Sequence, residues 1–107
     1  MDFLSIELAN KVKKKGYVKK SNDKVAAYSE GMITLPHIYN VLKWLREEKK
    51  LHVAIELSDK NTYCWYIQMI DRRISKYSSH LNNYFDNWEK TALAAIEYAL
   101  DNLTLYV

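Results

Sequence analysis

Between Leu51 and Met69 the apolar residues fall on every second position, in two runs with a polar interruption between them. Leu51, Val53, Ile55 and Leu57 alternate with His52, Ala54, Glu56 and Ser58; Tyr63, Trp65, Ile67 and Met69 then alternate with Thr62, Cys64, Tyr66 and Gln68. A period of two marks a strand with one buried face, so the stretch predicts a hairpin. The length of its turn decides the rest. A two-residue turn at Asp59 and Lys60 would pair Leu57 with Thr62 and divide the apolar side chains between both faces. A three-residue turn, Asp59 to Asn61, pairs Ser58 with Thr62 and gathers all eight on one face. Slipping a strand by one residue turns every side chain over, so burial selects the longer turn. Asn61 also tolerates the positive φ that such a turn needs.

Helical periodicity flanks this hairpin on both sides. From Asp2 to Lys15, Leu4, Leu8 and Val12 recur every four residues, with Ile6 and Ala9 beside them. Asp2 and Glu7 lie toward the N-terminus while Lys11, Lys13, Lys14 and Lys15 crowd the C-terminus, which suits the helix dipole. Gly16 can take the left-handed conformation that closes a helix. Val25 to Tyr28 reads as a short strand limited by Gly31. A second helix is expected with Thr34 as its cap and Pro36 in its first turn, where a missing N–H costs nothing. Ile38, Val41, Leu42 and Leu45 make its apolar face, Trp44 borders that face, and the helix should end near Lys49 or Lys50. Asp71 to Asn83 is the least regular stretch, although Ile74 to Tyr77 could extend a strand. The last helix is expected from Asp86, with Glu89 three positions on in the manner of a capping box. Trp88, Ala92, Ala95, Ile96, Ala99 and Leu103 form its inner stripe, widened by Leu93 and Leu100, and its alanines suggest close approach to a sheet. The expectation is one α+β domain over residues 1–107, with three helices packed on a small antiparallel sheet in the order α-β-α-β-β-α.

Composition narrows the class. With 107 residues, 49% hydrophobic and 27% charged, the chain can build one core and is not globally disordered. Two Gly and one Pro exclude collagen-like, linker-like and low-complexity readings. Cys64 is the sole cysteine, so no intrachain disulfide or multi-cysteine zinc site forms and nothing requires an oxidising compartment. The opening Met1-Asp2-Phe3 does not read as a signal peptide, and no stretch approaches the roughly 18 apolar residues of a membrane span. A cytoplasmic protein with no membrane association is the expectation.

The residues that chemistry would need are scattered. Two isolated glycines cannot make a dinucleotide-binding turn or a P-loop, and His37, His52 and His80 lack metal-ligand spacing, so neither a cofactor nor a metal is expected. Cys64 and His52 share the more polar face of the hairpin, which invites a thiolate–imidazole reading. Cys64, however, lies opposite Glu56, and His52 is four positions along its strand from Glu56, roughly 13 Å at about 3.3 Å per residue. Glu47 and Glu48 are consecutive on a helix and point apart, so a solvated face explains them better than a carboxylate pair. No catalytic residue is expected, and the chain reads as a non-enzyme.

Two asymmetries point instead to binding. Residues 11–24 carry seven lysines against Asp23 alone, a local charge of +6 in a chain of net charge +3. Lys13, Lys14, Lys15, Lys19 and Lys20 around Tyr17 would suit nucleic-acid phosphates with an aromatic beside them. A solvated helix end explains the same lysines more simply, because lysine specifies weakly and matches the helix dipole. The second asymmetry is nine tyrosines and three tryptophans. Trp44, Trp65 and Trp88 lie on or beside inner stripes and belong to the core. Tyr39, Tyr66, Tyr77, Tyr84 and Tyr106 do not face inward, and surface tyrosine is enriched at protein interfaces. The outer hairpin face, with Ala54, Tyr66 and Ile70, could pair with a second copy to make a homodimer. The leading expectation is a protein-interaction domain, with weakly sequence-specific nucleic-acid binding through the lysine tract as the alternative.

The run Leu35-Pro36-His37-Ile38-Tyr39-Asn40-Val41-Leu42-Lys43-Trp44-Leu45-Arg46-Glu47, followed by Leu51-His52-Val53-Ala54-Ile55, resembles small uncharacterised proteins of gut bacteria of the Bacteroides group and of their phages and mobile elements. In those, a proline-started helix ending in Val-x-x-Trp-Leu-Arg-Glu leads into an Ile-His-Ile-type strand, a tyrosine-rich strand and a C-terminal helix like Glu89 to Leu103. The likeness covers most of the chain after Gly31; the stretch from Lys19 to Lys24 departs from it. The resemblance implies fold and source type. It carries no activity, cofactor or catalytic residue.

Overall fold

Ser5, rather than Asp2, opens the first helix. In the computed structural model, which describes residues 3–28, 31–58, 61–70, 74–78 and 84–103, helix α1 runs Ile6–Lys14 and the Ser5 hydroxyl accepts from the Leu8 N–H at 3.3 Å. Glu7 and the lysines at its two ends match the dipole as expected, and Gly16 closes it at φ 103°. Strand β1, Lys24–Tyr28, then pairs antiparallel with β2, Gly31–Leu35. This second strand corrects the expectation for Thr34, which pairs with Val25 instead of capping a helix. The cap of α2, Ile38–Glu48, is His37, whose Nδ1 accepts from the Tyr39 N–H at 3.2 Å, with Pro36 just outside the helix.

The hairpin of β3, Leu51–Leu57, and β4, Tyr63–Met69, has the register that burial selects: Leu57 faces Tyr63, and the Ser58 N–H donates to the Thr62 carbonyl at 2.7 Å. Asn61 takes φ 61° in the turn. Strand β5, Ile74–Tyr77, adds to the far side of β4, from Met69↔Ile74 to Tyr66↔Tyr77. Where that ladder would continue, the Ser78 hydroxyl accepts from the Trp65 N–H at 2.9 Å, which satisfies the buried amide with a side chain. Farther along, Tyr63 and Phe85 exchange two backbone bonds of 2.7 and 2.9 Å.

Helix α3, Trp88–Tyr98, is capped by Asn87, one residue later than expected, and runs into a wider π-type turn, Ala99–Leu103. The class is α+β, with element order α-β-β-α-β-β-β-α. It therefore has two more strands than expected, divided between a two-stranded and a three-stranded antiparallel sheet in place of one sheet.

Helices α2 and α3 pack on the inner face of the three-stranded sheet. Leu51, Trp65, Ile67 and Met69 meet Ile38, Val41 and Leu45 from α2 and Ala92, Ala95 and Ile96 from α3 in one core. Ala92, Ala95 and Ala99 are wholly buried, which is the close approach their small side chains allow. Leu57 shares this face by register, opposite Tyr63, but next to the turn it is 67% exposed. Among the described residues no helix is long and apolar enough to cross a membrane.

Candidate functional site

The loop after α1 is built around a buried carboxylate. Each Asp23 oxygen accepts two hydrogen bonds: one from the Tyr17 hydroxyl at 2.6 Å and the Lys20 N–H at 2.8 Å, the other from the His37 N–H and the Asn40 side-chain amide, both at 2.8 Å. Burial pushes this carboxyl up, but the donors from Lys20, Tyr17, His37 and Asn40 outweigh it and hold the group below its ordinary value. Burial and the Asp23 carboxylate both push the Tyr17 phenol up, so it stays protonated and donating. Tyr17 is thus buried, edge-on to Trp44 with ring centroids 5.7 Å apart, and cannot offer a stacking face as the sequence suggested.

The lysines remain outside this knot. Lys11 reaches Asp101 on the π-type turn at 3.1 Å. Among the described residues, no carboxylate pairs with Lys13, Lys14, Lys15, Lys19 or Lys20. Lys13 and Lys19 line an open groove of about 320 Å³ between α1 and β2, which Ala9, Asn10, Tyr17, Met32, Ile33, Thr34 and Pro36 complete. Lys20 lines a separate, smaller hollow of about 250 Å³ with Asn40, Lys43, Trp44, Glu47 and Glu48.

A run of aromatic rings lies at the N-terminal ends of α2 and α3. Phe3 meets His37 edge-on at 5.2 Å, His37 stacks on Tyr39 at 5.4 Å, and Tyr39 meets Trp88 at 5.5 Å. The antiparallel bridge between Phe3 and His37 sets the first pair; the helix starts at Ile38 and Trp88 set the others. Tyr39 is 61% exposed. The sequence signalled Tyr39 as outward-facing but gave no sign of its neighbours, which come from three separate segments.

The expected interface residues are less closely grouped. Ala54 and Tyr66 are direct cross-strand partners and half-buried, and the Tyr66 hydroxyl lies 3.2 Å from that of Ser75. Ile70 is exposed and four positions beyond Tyr66, roughly 13 Å along the strand direction. Tyr84 is exposed; Tyr106 and the Tyr77 side chain lie outside the described residues.

Cys64 faces Glu56 across the ladder, and burial followed by that carboxylate pushes its thiol up, so it is a poor nucleophile at neutral pH. His37 is occupied as a cap, His52 lies opposite Gln68, and His80 is outside the described residues. No group of three metal-ligating side chains occurs among the described residues. No family model, curated protein or solved structure matches the chain.

Proposed function

We propose that the protein is a non-enzymatic interaction domain that engages a protein partner, a second copy of itself included, through the aromatic surface of Phe3, His37, Tyr39 and Trp88. The observation that carries this reading is the exposure of Tyr39 at the centre of a continuous run of rings. Preassembled aromatic side chains give a large contact area at small entropic cost, and tyrosine and tryptophan dominate binding energy at interfaces. The groups weighed for catalysis support it too, since Cys64 is buried with a raised thiol and Glu47 and Glu48 are exposed on α2.

Tyr39→Ala is expected to weaken partner capture from the source cell at least about tenfold, as loss of an aromatic anchor does. Its effect on stability should stay within about 0.5 kcal/mol because the side chain is mostly exposed. Sedimentation at micromolar concentration identifies the case in which the partner is a second copy. A variant that keeps every partner at unchanged affinity sinks the reading.

A specific observation favours a second reading, polyanion binding. Asp23, the one acid of the lysine tract, is turned inward, and among the described residues no carboxylate pairs with Lys13, Lys14, Lys15, Lys19 or Lys20, although Lys11 pairs with Asp101. Wild-type protein should then be retained on heparin near physiological salt, with log K falling in proportion to the charges neutralised. Lys14→Glu with Lys15→Glu and Lys20→Glu should abolish retention without unfolding. Absence of retention by the wild type under those conditions ends this reading.

A further inference from the structure

The groove between α1 and β2 has two chemically different walls. Lys13, from the last turn of α1, and Lys19, from the loop, supply positive charge, and Asn10, three residues before Lys13, adds an amide on the same side of the helix. Met32, Ile33 and Pro36 give the β2 side of the groove an apolar character. None of the described residues that line the groove is acidic. Its volume of about 320 Å³ lies at the lower end of the range that holds small ligands. Met32 is 68% exposed, leaving a polarisable thioether open to a flat ring. Beneath them Tyr17 is fixed by its bond to Asp23, so the floor is held in place before any ligand arrives.

We infer that this groove binds a small aromatic phosphate ester of nucleotide size, with its phosphate at Lys13 and Lys19 and its ring against the apolar β2 side at Met32. Two ammonium groups act as point charges and suit a phosphate dianion, whereas planar carboxylate recognition favours the arginine fork that is absent from the lining. The apolar wall calls for a ring attached to that phosphate. The site is separate from the aromatic surface around Tyr39. It shares Lys13 and Lys19 with the polyanion reading but not Lys14, Lys15 or Lys20.

The test is an amide-resonance titration near physiological salt with adenosine monophosphate, and with adenosine and inorganic phosphate as its separate halves. Adenosine monophosphate at millimolar concentration should displace the resonances of Asn10, Lys13, Lys19 and Met32, and bind more tightly than either half. Lys13→Ala with Lys19→Ala should weaken binding at least about tenfold, the effect of losing charge-assisted contacts. Met32→Asp, at an exposed position, should do the same by repelling the phosphate and spoiling the wall, while Lys14→Ala with Lys15→Ala should leave binding unchanged. Preserved amide dispersion shows that each variant is folded. Equal binding of phosphate alone, undiminished binding by Met32→Asp, or no displacement of groove resonances overturns the inference. Protein that binds the nucleotide yet ignores heparin leaves the groove standing and removes the polyanion reading; retention on heparin through Lys14 and Lys15 without nucleotide binding does the reverse.

Discussion

Asp23→Ala is expected to destabilise the fold by about 3–5 kcal/mol, because it removes a buried charged acceptor and leaves its donors unmatched. The Tyr17 hydroxyl and the backbone N–H groups of Lys20 and His37 lose this acceptor, while the Asn40 amide keeps only its bond to the Asn22 side-chain oxygen at 2.6 Å. Asp23→Asn keeps one carbonyl oxygen and should fall between the two. The effect also has a pH signature. The folded carboxyl titrates below its unfolded value of about 3.9, so its contribution is complete above that value and is lost as pH falls through the folded pKa. Urea unfolding should therefore show the full gap between wild type and Asp23→Ala at neutral pH, and a narrowing gap below about pH 4. A neutral-pH difference under about 1 kcal/mol would mean that the carboxylate does not organise the loop.

Trp65→Ala should cost about 3–5 kcal/mol, the range for truncating a buried aromatic. Trp65 is 2% exposed on the central strand of the sheet, and its ring lies 4.8 Å from that of Tyr98 on α3. Ile55, its cross-strand partner, is half-buried, so Ile55→Ala should cost less, about 1–2 kcal/mol. Denaturant midpoints of the two variants read this gradient. A larger loss at Ile55 than at Trp65 would mean that the helices cover the sheet differently.

The β3–β4 register was legible because three independent signals agree: a strict period of two, the burial penalty for a slip, and a residue at position 61 that accepts positive φ. Strand β2 was not legible because it is five residues long and ends beside Pro36, and Thr34 two residues before a proline imitates a helix start. The one-residue error at the start of α3 has a similar source, since Asp86 and Asn87 are both good caps. Asp86 pairs with Lys90 instead, at 3.1 Å.

The site was harder to read than the fold. Tyr17 and Asp23 lie in the loop after α1 and His37 and Asn40 at the start of α2, and no spacing rule links the two segments. The one available hint was an isolated aspartate among seven lysines, which charge arithmetic treats as a small correction to a basic tract. Its burial reverses the meaning of Tyr17, from a ring beside the lysines to a member of the core.

The bond from the His37 N–H to Asp23 joins the residue just before β1 to one just after β2. The chain consequently leaves the body and rejoins it at a single place, and none of the described side chains between Lys24 and Leu35 belongs to the hydrophobic core cluster. That arrangement makes the β1–β2 ribbon an exchangeable cassette. Its length and side chains can drift or be swapped while the body folds as before, and loop closure makes such changes cheap. Because Met32, Ile33 and Thr34 sit on the cassette and Lys13 on the body, the ring preference of the groove can diversify while its anchoring charge stays where it is.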